Sequence, residues 1–171
     1  MTPTLIAAAA ASLVFGACMV GAGLMDLATM RIRNALVGVL VAAYPVFAVL
    51  AGLDPATVAA SLAAALAAFA LGFGLFALGW IGGGDVKLAV AAVLWLGAGQ
   101  AGPFAVYTAL FGGVFALGLI LFRRARLAPG LRDAAWIARL HAPGNGIPYA
   151  VPMAAAALLT LPHSAWMAVL R

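Results

Sequence analysis

The chain has 171 residues, of which 67% are hydrophobic and only 8% charged. A soluble domain carries about 25% charged residues, so this composition excludes a soluble enzyme, a disordered chain and a disulfide-stapled secreted module. The net charge of +5 is assigned to membrane orientation rather than to nucleic acid, and the single cysteine, Cys18, forms neither an internal disulfide nor a CxxC metal pair.

Apolar stretches of about 20 residues recur along the whole length, the pattern of membrane-spanning helices. The predicted fold is all-α, a polytopic transmembrane helical bundle of about six spans forming one domain over residues 1–171. The first span covers residues 4–25. No Lys or Arg precedes Arg31, so it reads as a retained helix rather than a secretory signal, with Cys18 as a small buried residue. Spans at 35–53, 57–78, 86–96, 103–122 and 147–161 follow, the last continuing toward Leu170. The fourth reaches only about 17–20 Å at the helical rise. It is expected to lie tilted among its neighbours or to borrow residues from the glycines before it.

The connections alternate in charge. Arg31 and Arg33 follow the first span, Lys87 the third, and Arg123, Arg124, Arg126, Arg132 and Arg139 the fifth. The other side offers Asp54 in a short turn and an uncharged turn at 97–102. Only Arg171 stands against this bias, so the odd-numbered connections are assigned to the cytoplasm and both termini to the periplasm of a bacterial inner membrane. The connection 123–146 is a basic cytoplasmic loop. Its segment 131–140 predicts a short helix at the membrane surface, with Trp136 at headgroup level, arginines toward phosphates and Asp133 balancing them. His141 and His163 lack partners of metal-ligand type, and no metal site is predicted.

Four carboxylates occur in the chain, Asp26, Asp54, Asp85 and Asp133, and no Glu. Asp26 ends the first span and Asp85 opens the fourth. An ionisable group beside apolar membrane sequence points to function by default. The topology puts both at similar depth near the cytoplasmic boundary, where they meet if the first and fourth helices pack together. Two carboxylates in a partly dry site divide one proton, the charged one activating a water and the protonated one polarising a carbonyl. Which is acid and which is base stays open, and the pair is one titrating unit.

Three glycines, Gly82, Gly83 and Gly84, stand directly before Asp85. They disfavour helix and permit close backbone approach, so they are read as a substrate-approach loop on which an extended peptide binds by strand addition. The stretch is not a P-loop, because the Gly-Lys-Ser/Thr ending is absent.

Gly82-Gly83-Gly84-Asp85-Val86-Lys87-Leu88 resembles the GxGD-centred motif of the type IV prepilin peptidases. Asp26-Leu27-Ala28-Thr29-Met30-Arg31-Ile32-Arg33-Asn34 resembles their first motif, with Arg33 in place of the usual Pro. Gly146-Ile147-Pro148-Tyr149-Ala150-Val151-Pro152 resembles their late segment, with Ala150 in place of Gly. The matches occur in the family's order along essentially the whole chain. The resemblance implies Asp26 and Asp85 as the catalytic pair, with Asn34, Lys87 and Pro148 shaping the surroundings. It also implies a pilin precursor as substrate, cut behind a short basic leader at the cytoplasmic boundary. The short form, without an N-terminal cysteine-bearing domain, is similar to the peptidases of tight-adherence (Flp) pilus systems, and with Cys18 alone no methyltransferase activity is expected. No cofactor is required.

A proton-coupled transporter would use the same carboxylates, but it expects an acid near the membrane centre and often a duplicated half, and neither is visible. A presenilin-type protease shares Gly-x-Gly-Asp, yet its first Asp typically follows Tyr, whereas Asp26 follows Met25. Ser12, Ser61 and Ser164 lack the Gly-x-Ser setting of a serine hydrolase.

Overall fold

A computed structural model describes residues 2–171, leaving aside the side chains of Pro129 and Arg132. Every regular element in it is helical. The helices are α1 (Pro3–Thr29), α2 (Asn34–Leu50), α3 (Pro55–Ala77), α4 (Gly83–Leu96), α5 (Ala98–Arg124), α6 (Pro129–Arg132), α7 (Ala135–His141), α8 (Ala150–Thr160) and α9 (Ala165–Val169), with a 3-10 turn at Leu161–His163 between the last two. Three of them, α1, α3 and α5, are long and apolar enough to cross a membrane.

Local chemistry sets the ends. Pro3 opens α1 behind Thr2, whose hydroxyl accepts from Leu5 N–H at 3.4 Å, and Pro55 opens α3 behind Asp54, whose carboxylate accepts from Thr57 N–H at 3.2 Å. A side-chain oxygen before a first-turn proline satisfies the orphan donors of a helix start. At its other end α1 stops at Met30, which is left-handed at φ 55°, the only non-glycine with positive φ among the described residues. Its N–H closes onto the Asp26 carbonyl at 2.7 Å, and the chain turns back there.

Several boundaries differ from the sequence expectation. The turn expected at 97–102 contracts to Gly97 at φ 86°, because α5 already begins at Ala98 and carries Pro103 near its start. The surface helix expected at 131–140 is two pieces, α6 and α7, and the expected orientation of Arg132 lies outside the described side chains. The last span is interrupted by the turn at Leu161–His163. Cys18 is half-buried rather than buried.

The short fourth helix has a physical explanation. It takes up Gly83 and Gly84, reaches 14 residues, about 21 Å, and buries Val86, Leu88 and all of 91–96. It packs chiefly on α3, α2, α5 and α8. Its surroundings are protein on most sides, so its length need not match a bilayer.

An aromatic cluster locks this central helix in place. Trp95 of α4 stacks on Phe15 of α1 at 5.6 Å between ring centroids and meets Tyr44 edge-on at 5.9 Å. Trp166 of α9 packs on Trp95 at 5.2 Å and on Tyr44 at 5.7 Å. Both indoles are fully paired. Trp95 donates to the Leu40 carbonyl at 2.8 Å and Trp166 to the Trp95 carbonyl at 2.6 Å, as buried indole N–H groups require. Replacing Trp95 with Ala is expected to lower stability by about 3–5 kcal/mol, while Leu13→Ala, on a residue 74% exposed, stays within about 0.5 kcal/mol. Reversible unfolding in detergent measures both.

Candidate active site

The cluster also sets the level of the two acids. Phe15 lies eleven residues before Asp26 and Trp95 ten residues after Asp85, rises of roughly 16 and 15 Å along the two helices. The Phe15–Trp95 stack therefore brings the C-terminal turn of α1 and the N-terminal turn of α4 to matching heights.

Asp26 is only 5% exposed. Its Oδ2 accepts a hydrogen bond from Ala150 N–H, the first residue of α8, at 3.1 Å. The helices approach closely beside Gly23, one turn earlier on α1, where a methyl would just fit and a larger side chain would not. A Cβ there would lie 3.4 Å from the Ala150 oxygen and 3.5 Å from Ala154 Cβ. Asp85 occupies the third position of α4, and its Oδ2 would lie 3.0 Å from a Cβ placed on Gly82, the N-cap. An acid at that position folds back over its own helix start. Each carboxylate thus sits at a helix N-terminus, where backbone dipoles favour negative charge.

Both acids line one cavity of about 250 Å³, against roughly 30 Å³ for a water in the liquid. Met30 and Ile32 wall it from the end of α1, Gly82 and Gly84 from the start of α4, and Gly146 and Ile147 from the segment leading to α8. Among the described residues no group of three or more His, Cys, Asp or Glu assembles. Asp85 also borders a second, larger cavity of about 710 Å³ that is almost wholly apolar. It runs between α3, α4, α5 and α8 past Ala68, Gly72, Ala89, Ala105 and Met153.

A family model described as the type IV leader peptidase family matches residues 13–117, a stretch that contains both acids. The chain belongs to the type IV leader peptidase family. No curated protein and no solved structure matches it. Membership makes the chain a peptidase and gives no support to proton-coupled transport.

The peptidase brings together part of the predicted site and rearranges the rest. Asp26, Asp85, Gly82 and Gly84 share the cavity. The glycines do not form an open loop, however. Gly83 and Gly84 are the first turn of α4, and only Gly82 is extended, at φ −74° and ψ 143°. Helix-disfavouring residues cost least at a helix start, where the first amides have no intrahelical partner in any case. Gly83 faces away from the cavity toward the Phe76 ring, which a Cβ would meet at 3.3 Å, and Gly84 lies against Ile32. Asn34 and Lys87 stand outside the cavity wall and meet each other, Lys87 Nζ donating to Asn34 Oδ1 at 3.3 Å. That contact ties the start of α2 to the first turn of α4. Pro148 is fully buried behind the wall, its carbonyl accepting from Val151 N–H at 3.2 Å.

Neither departure from the family pattern disturbs this arrangement. Arg33 caps α2 at φ −72° and ψ 130°, a conformation that Pro itself adopts. Ala150 contributes only its N–H to Asp26, and its methyl is completely buried. The acids reach one cavity although α1 and α4, expected to pack together, touch mainly through large side chains such as Phe15 and Trp95. The main backbone partners of α1 are α8 and α2, and large side chains fill the space between α1 and α4.

Sequence reasoning did not single out Met30 or the Ala150 amide. A backbone donor leaves no signal in residue type, but a Met held at positive φ beside an acid cavity is the kind of local strain found at functional sites. Gly23→Ala is expected to be neutral or to stabilise by up to about 1 kcal/mol through helix propensity. Gly23→Leu should separate α1 from α8 and cost about 1–3 kcal/mol, with peptidase activity falling alongside. Melting curves and activity measured on both purified variants provide the check.

Proposed function

We propose that this peptidase is an aspartic endopeptidase that removes the short basic leader from a type IV, Flp-like pilin precursor at the cytoplasmic face of the inner membrane. The observation that carries the reading is that Asp26 and Asp85, distant in sequence, line one small cavity. One carboxylate takes a proton from the attacking water, while the other, protonated, hydrogen-bonds the scissile carbonyl. The tetrahedral intermediate then collapses as the amine leaves with a proton from the pair. Two carboxylates and one water account for all the proton traffic.

The second cavity supports a single-span substrate. An apolar trough that begins at Asp85 and is lined by alanines and glycines on α3, α4 and α5 suits an apolar helix, since small residues let helix backbones approach in a membrane. The cut peptide bond would then lie between an extended leader in the smaller cavity and the helix of the mature pilin in the larger one.

In the accompanying topology α1 to α5 and α8 are the six spans of a single domain. The connections bearing Arg31, Arg33, Lys87 and the arginines after α5 are cytoplasmic, and both termini are periplasmic. A basic leader gains nothing from bulk attraction to this basic face, and Arg31 is assigned to lipid phosphates. Asn34, Lys87 and Pro148 act as supports around the cavity. With Cys18 in the middle of α1 as its only cysteine, the sequence gives no support for methylation beside cleavage.

Reconstitution with a pilin precursor tests the reading. Asp26→Asn and Asp85→Asn should each lower cleavage by about 10²–10⁴-fold while both variants insert and purify as the parent does. Full cleavage by either variant removes that acid from the pair. The same assay run against pH should give a bell. Below the optimum both acids are protonated and no base remains; above it both are charged and no acid remains. A plateau that persists to high pH contradicts the shared proton.

A further inference from the structure

Arg123, in the last turn of α5, makes more hydrogen bonds than a charge at a helix end needs. Its Nε donates to the Leu140 carbonyl at 2.8 Å, and one terminal nitrogen donates to the Asn145 carbonyl at 2.9 Å and the Gly146 carbonyl at 2.8 Å. These are charge-assisted bonds to three carbonyls from two nitrogens of one rigid planar guanidinium, whereas an ammonium would have to donate all three from a single nitrogen. The network continues. Asn145 donates to the Arg139 carbonyl at 2.6 Å, and the Arg139 guanidinium donates to the Ala28 carbonyl, two residues beyond Asp26. The end of α5, helix α7 and the end of α1 are joined across one face of the molecule.

That network ends at the acids. Gly146, whose carbonyl Arg123 holds, lines the cavity together with Ile147, and four residues later the Ala150 N–H bonds Asp26. Four residues span at most about 14 Å, Pro148 removes one soft dihedral from them, and Tyr149 is seated on Gly112 of α5, where a Cβ would lie 2.9 Å from its ring. Little slack remains between Arg123 and Asp26.

We infer that Arg123 is a positioning residue of the peptidase. By holding the carbonyls of Leu140, Asn145 and Gly146 it fixes the cavity wall formed by Gly146 and Ile147, and with it the register at which α8 presents its first N–H to Asp26. This inference rests on the aspartic reading above. It assigns Arg123 its main part in the chemical step, through the N–H that α8 presents to Asp26, and only a minor one in holding the leader.

Steady-state kinetics on the full chain in lipid nanodiscs, with a pilin precursor as probe, tests it. Arg123→Gln should lower kcat by about 10-fold or more, the scale expected when a reacting group is displaced by a fraction of an ångström, with KM within about twofold. Arg123→Lys, which keeps the charge and loses the fork, should fall between. Arg124→Gln, at an exposed neighbour carrying the same charge, should match the parent. An unchanged kcat in Arg123→Gln, a loss confined to KM, or an equal loss in Arg124→Gln overturns the inference. If Arg123→Gln does not accumulate, Arg123→Lys decides: kcat equal to the parent overturns it, and a reduced kcat at unchanged KM and melting temperature upholds it. Asp26→Asn in the same assay separates the two levels. Cleavage by that variant overturns the aspartic reading and this inference together, whereas an inactive Asp26→Asn beside a normal Arg123→Gln overturns only the role of Arg123.

Discussion

A carboxylate inside an apolar bundle needs a donor, and Asp26 takes its donor from a helix more than a hundred residues away. The bond from Ala150 N–H at 3.1 Å forms where α8 lies directly on α1 beside Gly23, a position with room for a methyl and no more, and it is the contact on which the rest of the site rests. A buried polar group left unpaired is costly, so the bond holds the start of α8, and with it Gly146 and Ile147, beside the acid. Asp85 arrives from the opposite direction at the same level. The aromatic cluster far from the cavity fixes that level, with Phe15 and Trp95 nearly equidistant from their respective acids. Packing at one end of the bundle sets the electrostatics at the other.

The short central helix follows from the same constraint. α4 is enclosed by α3, α2, α5 and α8, and its first turn opens onto two cavities of opposite character, one holding both acids and one almost wholly apolar. Asp85 borders both. In the proposed reaction that position decides where along a single-span substrate the bond is cut, because it is the boundary between a part of the chain that must be extended and a part that is helical. The specificity of such a peptidase would reside in this junction more than in pockets for individual side chains.

Much of this was legible in the sequence. Scarcity made Asp26 and Asp85 stand out, since a chain with four carboxylates leaves few candidates, and their placement at span ends put them at one depth. The motifs implied that Asn34, Lys87 and Pro148 shape the surroundings, and in the structure Asn34 and Lys87 meet outside the cavity wall while Pro148 is buried behind it. The glycine run misled because glycine's aversion to helix is an average over interior positions, whereas Gly83 and Gly84 occupy a first turn. The turn expected at 97–102 shrinks to Gly97 for a related reason at Gly99, which lies in the first turn of α5, whereas Pro103 stands inside the helix. What sequence did not offer was any sign of the Ala150 donor or of the role of Arg123, because their partners are backbone atoms. One arginine in a basic loop looks like the next until its carbonyl partners are known. The match to the type IV leader peptidase family covers both acids and stops before the segment that braces them, so the bracing rests on geometry alone.

Asp26 and Asp85 line one small cavity, and cross-linking in native membranes probes that neighbourhood in the membrane-inserted protein. In a Cys18→Ser background, which removes the only cysteine, Asp26 and Asp85 are both replaced by Cys and treated with a short bifunctional thiol reagent that fluoresces only when both arms have reacted. The account predicts fluorescence from the double variant and none from either single one. Two thiols that each react with a monofunctional reagent yet never join through the bifunctional one would contradict it.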